Sequence, residues 1–433
     1  MVKTKITVKN CLLLTLIFLG GVSVLALSEQ VHLALCSGVV RVVPDDYQKI
    51  SWAIGNASDG DTILIRPGAY FEVRIIVDKV VTIVGENAET TIIDGQNVAD
   101  NIFNIIADQA IVENLTVKST DPDPTRYCSA IQIYNAKNVT VKNVIVTNAV
   151  IGVDIRSSNE SKLTDCRINN TILCGIRLQN SNNNSITDNT LDQNHIGIYI
   201  SDMKSKYNRI HHNNFIDNTQ HVSLPSAINY FDDGYPSGGN YWSDYNGTDL
   251  KSGNSQNETR SDGILDQGYP DPNYPLDRYP LLNPIKKLHI FVGGHTFTIE
   301  TSSNSTIIAY GFNSSKKTLD LFVNSSVGAF TTFRVEIPQE LLSCDMLNDW
   351  EIAIYYSNNL WQTLLDYLPE SDKENTYLFF TYNNTTFNAR IEIKGARVIP
   401  EFTFITTCIL SIFSIILISP IGKLKEKDTT YCA

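Results

Sequence analysis

Short stretches of alternating hydrophobic and polar residues run through the middle of the chain, and they recur at a fixed interval. The segments that share one such pattern are IGVDI at 151–155, CGIRL at 174–178 and IGIYI at 196–200. Their glycines lie 23 and 22 residues apart. Alternation with a period of two predicts strands, and a fixed repeat of roughly 20–50 residues indicates a solenoid.

Each repeat has room for three short strands and three turns. Val, Ile and Thr, which favour strands, dominate the alternating stretches, and Asn, Ser, Asp and Gly, which favour turns, separate them. Stacked coils pair strand on strand at ~4.8 Å and bury one continuous apolar column. The sequence therefore predicts an all-β fold, a parallel β-helix with about 22 residues per coil. Most of its turn asparagines are expected to form hydrogen-bonded ladders between coils.

The chain changes character on both sides of this repeat. Apolar residues at helical spacing within 47–57 predict a short helix that covers the open end of the first coil. After the repeat, alternating strands are expected at 288–292, 296–300, 306–310, 319–323, 333–337, 350–355, 376–380 and 389–393. Their spacing predicts a small β-sandwich-like domain over 285–396. We interpret it as a stalk, with a ligand-binding sandwich as the alternative, and assign 38–284 to the β-helix with a closing acidic loop.

Both ends of the chain carry apolar runs beside basic residues. Three lysines precede the first run, so residues 1–27 are predicted to be a signal peptide, with an uncleaved signal anchor as the alternative. Residues 402–419 form an uncharged apolar run long enough to approach the ~30 Å hydrocarbon core. Because lysines follow it, residues 420–433 are expected to be a cytoplasmic tail, which places the body of the protein outside the cell.

Composition narrows the choice of partners. The formal net charge of −12 argues against nucleic acid and anionic lipid, which require clustered Lys and Arg. Thirteen Asn-x-Ser/Thr motifs agree with an exported, glycosylated body: Asn56, Asn114, Asn138, Asn159, Asn169, Asn183, Asn246, Asn257, Asn304, Asn313, Asn324, Asn383 and Asn384. The cysteines show no CxxC spacing, and we interpret Cys166 and Cys174 as small core residues rather than a disulfide.

Three segments of the chain resemble known families. Residues 43–94, with AIGNASDGDTILIRPGAYFEVRIIV, resemble the opening of pectin-lyase-like right-handed β-helices. The coils with GIRLQNSNNNSITDNTLDQNHIGIYIS are similar to the NosD and carbohydrate-binding/sugar-hydrolase branch. GGNYWSDYNGTD at 238–249 is similar to the segment that closes such helices in archaeal surface proteins with a C-terminal membrane anchor. The resemblance implies a right-handed β-helix over about 38–284, and this fold hosts lyases, hydrolases, binding proteins and structural spikes.

One strand of each coil offers a stripe of polar side chains. Residues between its inward apolar positions must point outward and stack coil on coil. The first column contains Gln132, Asp154, Arg177, Tyr199 and Ser223, and the second column contains Tyr134, Arg156, Gln179 and Ser201. Tyr stacks on sugar rings, and Arg, Asp and Gln bind hydroxyls and carboxylates, so both columns are candidates for a glycan or a cell-envelope polysaccharide.

Two arguments limit that interpretation. Asp154 and Arg177 are one coil apart, so they are equally suited to pair with each other across the strands. Inverting glycoside hydrolysis requires two carboxylates about 6.5–9.5 Å apart, and the stripe supplies one. We therefore expect a membrane-anchored surface protein that binds carbohydrate or has a structural role. A polysaccharide lyase or glycoside hydrolase is one alternative, and a copper- or metal-handling accessory protein, implied by the NosD resemblance, is the other.

Metal binding provides two further hypotheses. The region 232–277 is rich in aspartate, and Asp262 and Asp266 in the segment DGILD resemble part of a calcium loop without the full EF-hand spacing. The alternative is a solvated acidic loop. The last coils contain His195, His211, His212 and His221, and the NosD resemblance implies copper handling. His211 and His212, adjacent on a predicted strand, are expected to point to opposite faces.

Overall fold

The computed structural model describes residues 38–398, apart from 274, 329, 357–358, 365 and 386. These residues form two compact units that divide near Lys286. The predicted signal peptide at 1–27, anchor at 402–419 and tail lie outside the described residues. Within 38–398, no helix is both long and apolar enough to cross a membrane.

The first unit is a parallel β-helix made of three sheets. Sheet A contains β1 (Val40–Val43), β2 (Thr62–Ile65), β5 (Thr82–Gly85), β8 (Ile111–Glu113), β11 (Thr140–Lys142), β14 (Lys162–Thr164), β17 (Ser185–Thr187) and β20 (Arg209–His211). Sheet B contains β3 (Gly68–Tyr70), β6 (Thr91–Asp94), β9 (Thr116–Lys118), β12 (Ile145–Thr147), β15 (Arg167–Asn169), β18 (Thr190–Asp192), β21 (Asn214–Ile216) and β23 (Tyr241–Trp242). Sheet C contains β4 (Ile75–Val77), β7 (Phe103–Ile105), β10 (Ser129–Tyr134), β13 (Ile151–Arg156), β16 (Cys174–Gln179), β19 (Ile196–Ile200) and β22 (Gln220–Ser223).

The strand register confirms the predicted parallel β-helix and refines its period. In sheet C, Val153 pairs with Ile176 and Ile176 with Ile198, steps of 23 and 22 residues. The average coil has about 23 residues rather than the predicted 22. Two consecutive coils are longer, because Ile75 pairs with Phe103 and Phe103 pairs with Ile131, each after 28 residues. In the second of these coils the extra residues form a loop with a short 3-10 helix, Pro124–Arg126, beside sheet C.

Inward apolar residues of all three sheets form one continuous core along the β-helix. A short helix, α1 (Ile50–Gly55), lies against the first coils and buries Ile50, Ala53 and Ile54 in that core. This agrees with the predicted covering helix, although Trp52 is 54% exposed and takes no part in the core. A helix at this position shields the coil end, where strand edges would otherwise be open.

The recurring glycine has a steric cause. A Cβ atom on Gly152, Gly175 or Gly197 would lie 2.4, 2.8 or 2.5 Å from the carbonyl oxygen of the residue stacked on it in the next coil. Real Cβ atoms do not approach that closely, so each position requires glycine. The residue stacked on Gly197 is His221, which belongs to the last coil of sheet C. In the part of the chain that the structure describes, no further strand of sheet C covers His221, and this position carries a side chain.

Buried asparagines form the predicted ladders. The amide of Asn213 donates to the Ile186 carbonyl at 2.8 Å and to Asn240 Oδ1 at 3.0 Å, and its Oδ1 accepts from the Asn189 backbone N–H at 3.0 Å. The ladder ends on a buried carboxylate, since Asp277 Oδ2 accepts from the Asn240 N–H at 2.7 Å. Parallel ladders join Asn184, Asn208 and Asn229, and Asn194 and Asn218.

The second unit contains two five-stranded sheets whose described pairings are antiparallel. The first sheet contains β26 (Ile285–Val292), β27 (His295–Ser303), β30 (Phe330–Pro338), β35 (Asn375–Asn383) and β34 (Tyr367–Ser371). The second contains β28 (Thr306–Asn313), β29 (Thr318–Asn324), β36 (Asn388–Lys394), β32 (Glu351–Tyr356) and β33 (Asn359–Leu364). Short elements complete the chain: β24 (Lys251–Ser252), β25 (Glu258–Thr259), β31 (Leu342–Ser343), β37 (Arg397–Val398) and a 3-10 turn, Leu347–Asp349. Side chains of both large sheets share one apolar core.

Candidate functional site

Asp154 is the centre of a buried ionic network on the outward face of sheet C. The Arg177 guanidinium donates to both of its oxygens, from Nε at 2.8 Å and from Nη2 at 2.7 Å. Arg156 Nε lies 3.0 Å from Asp154 Oδ2, and the Gln132 amide donates to the same oxygen at 3.2 Å. The Asp154 side chain has no exposed surface. One carboxylate thus holds two guanidinium groups, which leaves a net positive charge at this point of the stripe.

The loop of the 28-residue coil between Phe103 and Ile131 covers part of this network. Tyr127, which follows the 3-10 helix, lies with its ring 5.4 Å from the Arg177 guanidinium carbon. The Arg177 side chain is only 6% exposed as a result. Burial lowers the pKa of Arg177, but the hydrogen bond and the charge of Asp154 raise it more, so its net pKa is above the ordinary value. The pair is therefore charged and closed to solvent.

The second column remains open to solvent. Tyr134 pairs in register with Arg156, and Arg156 with Gln179, so the three side chains are on successive coils. Tyr134 is 51% exposed, Gln179 is exposed and the Arg156 side chain is 33% exposed. Among the described contacts, Arg156 uses only its Nε atom, toward Asp154. Arg156 and Gln179 therefore retain exposed side-chain surface and hydrogen-bond donors that a ligand could use.

The structure thus separates the six residues that the sequence nominated for ligand binding. Gln132, Asp154 and Arg177 form the buried network, which is the cross-strand pairing that the sequence left as an alternative. Tyr199 continues the first column and packs on an outward apolar cluster with Val150, Ile151 and Cys174. Arg156 and Gln179 belong to the open second column. Whether these residues bind a ligand stays a prediction.

Sequence reasoning missed Tyr127. The coil-by-coil alignment places it in no strand, because it lies in the loop 119–128. The available signal was the length of this coil, 28 residues where the coils that follow it have 22 or 23. An extra-long coil marks an insertion beside the sheet, and an aromatic residue in it is a candidate to cover the adjacent strand face.

The two candidate calcium ligands of the closing acidic loop, within residues 232–277, accept hydrogen bonds from other groups of the same loop. Asp262 accepts from the Ile264 backbone N–H at 3.0 Å and from the Gln256 amide at 2.9 Å. Asp266 Oδ1 accepts from the backbone N–H groups of Leu250 at 3.0 Å and Lys251 at 2.9 Å. These bonds hold the loop closed in the described structure. The calcium assignment of Asp262 and Asp266 stays a prediction.

The predicted orientation of the adjacent histidines is wrong. His211 ends β20, but His212 lies at the following corner with φ of 56°, a left-handed conformation, and not on the strand. This corner turns the His212 ring toward its neighbour, so the two ring centroids are 5.0 Å apart in an edge-to-face contact. His212 Nδ1 lies 4.0 Å from Asp188 Oδ1, and His211 Nε2 lies 4.0 Å from Asp233 Oδ1.

The fold and the stripe define a right-handed parallel β-helix with an outward polar face. Residues 54–247 match the family described as "Periplasmic copper-binding protein (NosD)". This confirms the NosD resemblance for the coils, over slightly less than half of the chain. No curated protein matches the chain.

Solved structures of polysaccharide-active enzymes are among those similar to the chain. Pectin methylesterase PemA from Erwinia chrysanthemi is 14% identical, with 60% of this chain and 84% of that chain covered and a TM-score of 0.29. A pectin methylesterase in complex with a hexasaccharide is 14% identical, with 47% and 88% covered and a TM-score of 0.31. The PL6 family alginate lyase AlyGC is 16% identical, with 56% and 42% covered and a TM-score of 0.28. These values describe a likeness of fold and carry no information on activity.

Proposed function

We propose that the β-helix binds an extended acidic glycan along the second column, Tyr134, Arg156 and Gln179. The observation that carries the proposal is the open Arg156 guanidinium, which is held by a buried network with a net positive charge. A positive site on a chain with a net charge of −12 favours anionic groups such as sugar carboxylates. We place the protein at the cell surface, tethered by the segment at 402–419, in keeping with the sequence prediction.

The geometry supports recognition along a chain of sugars. The three side chains repeat once per coil, so they offer contacts at ~4.8 Å steps on a rigid face. A guanidinium can bind a carboxylate through two parallel hydrogen bonds, and an exposed tyrosine can stack on a sugar ring. The buried pair of Asp154 and Arg177 fixes the position of Arg156 before any ligand arrives, which lowers the entropy cost of binding.

The test compares an acidic and a neutral oligosaccharide of equal length. We expect hexagalacturonate to bind the full chain and maltohexaose to bind more weakly, by calorimetry. Arg156→Gln removes the charge but keeps a polar side chain that can donate a hydrogen bond, and it should weaken hexagalacturonate binding by roughly tenfold or more, since a charge-assisted bond contributes ~1.5–3 kcal/mol. The matched control is Arg167→Gln, on the outward face of sheet B, which should leave binding unchanged.

The outcomes separate the alternatives. Equal affinity in Arg156→Gln and the unaltered chain would place the glycan elsewhere. No binding of either oligosaccharide would favour a structural role. A rise in ultraviolet absorbance from unsaturated products would show turnover and support a polysaccharide lyase.

Copper binding is a second candidate, because the coils match a family described as copper-binding. The donors that the described structure brings together are His211 and His212, with Asp188 and Asp233 close by. Imidazole and carboxylate suit Cu(II), whereas Cu(I) prefers thiolate and thioether. Burial raises the pKa of the Cys166 and Cys174 thiols to about 12, so they are not available as thiolates.

The copper test uses direct titration. We expect Cu(II) to produce a saturable visible absorption band that disappears in the double variant His211→Asn/His212→Asn. The single variant His195→Asn, at an exposed histidine of the preceding coil, is the control. Loss of the band in the control, or its survival in the double variant, would contradict the assignment.

A further inference from the structure

A cleft of about 740 Å³ lies beside the last coil, next to the closing loop. Its walls are largely apolar and include Val222, Leu224, Pro225, Ile228, Pro270 and Leu276. Asp244 and Tyr269 also line it, together with His221. No lysine or arginine is present among the lining residues that the structure describes.

His221 lines this cleft because it follows the column of glycines at 152, 175 and 197 and is the first residue after them to carry a side chain. It occupies the position that is glycine in the three preceding coils, and no strand of sheet C stacks on it. Its side chain is 1% exposed and contacts the stacked rings of Phe215 and Trp242, each with its centroid 5.9 Å from the imidazole centroid. The coil geometry permits a side chain at this position and does not require a histidine.

Neighbouring hydrogen bonds set the tautomer of His221. Asn218 Oδ1 accepts from the Asn194 backbone and side chain, both at 3.0 Å, which fixes the orientation of the Asn218 amide. The Asn218 Nδ2 group donates to the Leu191 carbonyl and lies 3.2 Å from His221 Nδ1. Because Nδ1 faces a donor, it acts as the acceptor, and Nε2 carries the proton. That Nε2 atom lies 3.1 Å from Asp244 Oδ1.

The Asp244 carboxylate thus lies beside the imidazole, and no lysine or arginine pairs with it among the described residues. Burial lowers the pKa of His221 more than Asp244 and Asp217 raise it, so the imidazole is neutral near pH 7. The Tyr269 hydroxyl approaches Asp244 Oδ2 at 3.4 Å and is also neutral. The Asp244 side chain is 59% exposed and belongs to the cleft lining.

We propose that this cleft binds a small organic cation, an ammonium group on a ring or apolar body. The Asp244 carboxylate is the anionic partner, the Tyr269 ring offers a cation–π contact, and the apolar walls hold the body of the ligand. The Tyr269 ring is held in place by stacking on Trp242, with the two ring centroids 4.1 Å apart and an interplanar angle of 8°. His221 is a positioning residue that orients Asp244. The site is distinct from the second column and independent of glycan binding there.

Glucosamine and glucose provide a matched pair of ligands, because they differ in the ammonium group. We expect glucosamine and choline to bind the full chain saturably and to change the tryptophan fluorescence, through Trp242 beneath Tyr269, whereas glucose does not. Asp244→Asn should weaken both by at least about tenfold, as expected for a lost charge-assisted contact. Asp78→Asn, an exposed acid of an early coil that does not line the cleft, is the control and should bind as the unaltered chain does.

A pair of His221 variants tests the positioning role. His221→Gln keeps a donor toward Asp244 and should retain most of the affinity, whereas His221→Phe keeps the ring and should lose it, with melting temperatures measured for both. Equal binding of glucose and glucosamine would overturn the ammonium assignment in favour of a neutral sugar. Unchanged glucosamine affinity in Asp244→Asn, or no binding of either amine at millimolar concentration, would overturn the site.

Discussion

Replacing Asn213 by alanine removes one rung from the middle of a buried ladder. The side chain is fully buried and makes five hydrogen bonds: it donates to Ile186 O, His211 O and Asn240 Oδ1, and it accepts from the backbone and side-chain N–H groups of Asn189. Some partners keep other bonds, since Asn240 Oδ1 still accepts from the Asn213 backbone N–H. The Asn189 backbone N–H and the Ile186 carbonyl lose this partner inside the core.

The expected loss follows from those two groups. A buried donor or acceptor left without a partner costs ~1–3 kcal/mol, so the variant should lose about 3 kcal/mol of unfolding free energy. For a unit of this size, 1 kcal/mol lowers the melting temperature by roughly 2–4 °C, which gives a decrease of about 6–12 °C. Asn213→Asp should be worse, because a carboxylate at this position faces three carbonyl oxygens.

Circular dichroism at increasing temperature measures the change, with denaturant unfolding for the free energy. The control is Asn169→Ala on β15, whose side chain makes one described bond, accepted from Asn170 at 3.2 Å. We expect this change to cost less than about 0.5 kcal/mol. Equal losses in the two variants would refute the claim that the ladder stabilises the coils through its hydrogen bonds.

Three further predictions concern buried or paired acids. Arg177→Met leaves the buried Asp154 carboxylate short of its main partner, so unfolding free energy should fall by about 3 kcal/mol, and the double variant with Asp154→Asn should recover part of it; an equal loss in both would contradict this. Burial raises the pKa of Asp277 from 3.8 to about 7, so the native state binds the proton more tightly than the unfolded state does. The contribution of this proton to the unfolding free energy is therefore fully present below about pH 4 and is lost as the pH rises through about 7. The melting temperature should decrease across that range and the decrease should be smaller in Asp277→Asn; an identical slope would exclude Asp277 as its source. If Asp262 and Asp266 bind calcium, EDTA should lower the melting temperature and excess calcium restore it, and no change would end that prediction.

Much of the fold was predictable because it depends on local, repeated patterns. The inward alternation and the glycine spacing follow from contacts that recur from coil to coil. The eight strands expected after residue 287 all occur, seven with wider bounds and the one expected at 350–355 shifted by one residue. Two strands of the large sheets were missed, Asn359–Leu364 and Tyr367–Ser371, which lie close together without a clear turn signal, as were the short strands Leu342–Ser343 and Arg397–Val398. The predicted period of 22 residues is about one residue shorter than the observed average, because the turns differ in length from coil to coil.

The sequence predicted which residues of the candidate site stack on one another from coil to coil, but not which of their side chains are exposed to solvent. Alternation places Asp154 and Arg156 on the same face, yet only the structure shows that the first is buried under Arg177 and that the second is open. The covering residue, Tyr127, comes from an insertion, and Asp244 comes from the closing loop, where no repeat sets the position. Contacts between a repeat and its insertions depend on tertiary packing, which a pattern along one chain does not encode.

The glycine column bears on how the number of coils can change. A coil duplicated between Gly152 and Gly197 would present glycine to the carbonyl above it and would extend the β-helix by ~4.8 Å without disturbing its neighbours. A coil added beyond His221 would stack on a residue far larger than glycine, at a position where a Cβ atom on Gly197 would have only 2.5 Å. Internal duplication is therefore the simpler way to change the number of coils, and it leaves the last coil and its closing loop together as one module.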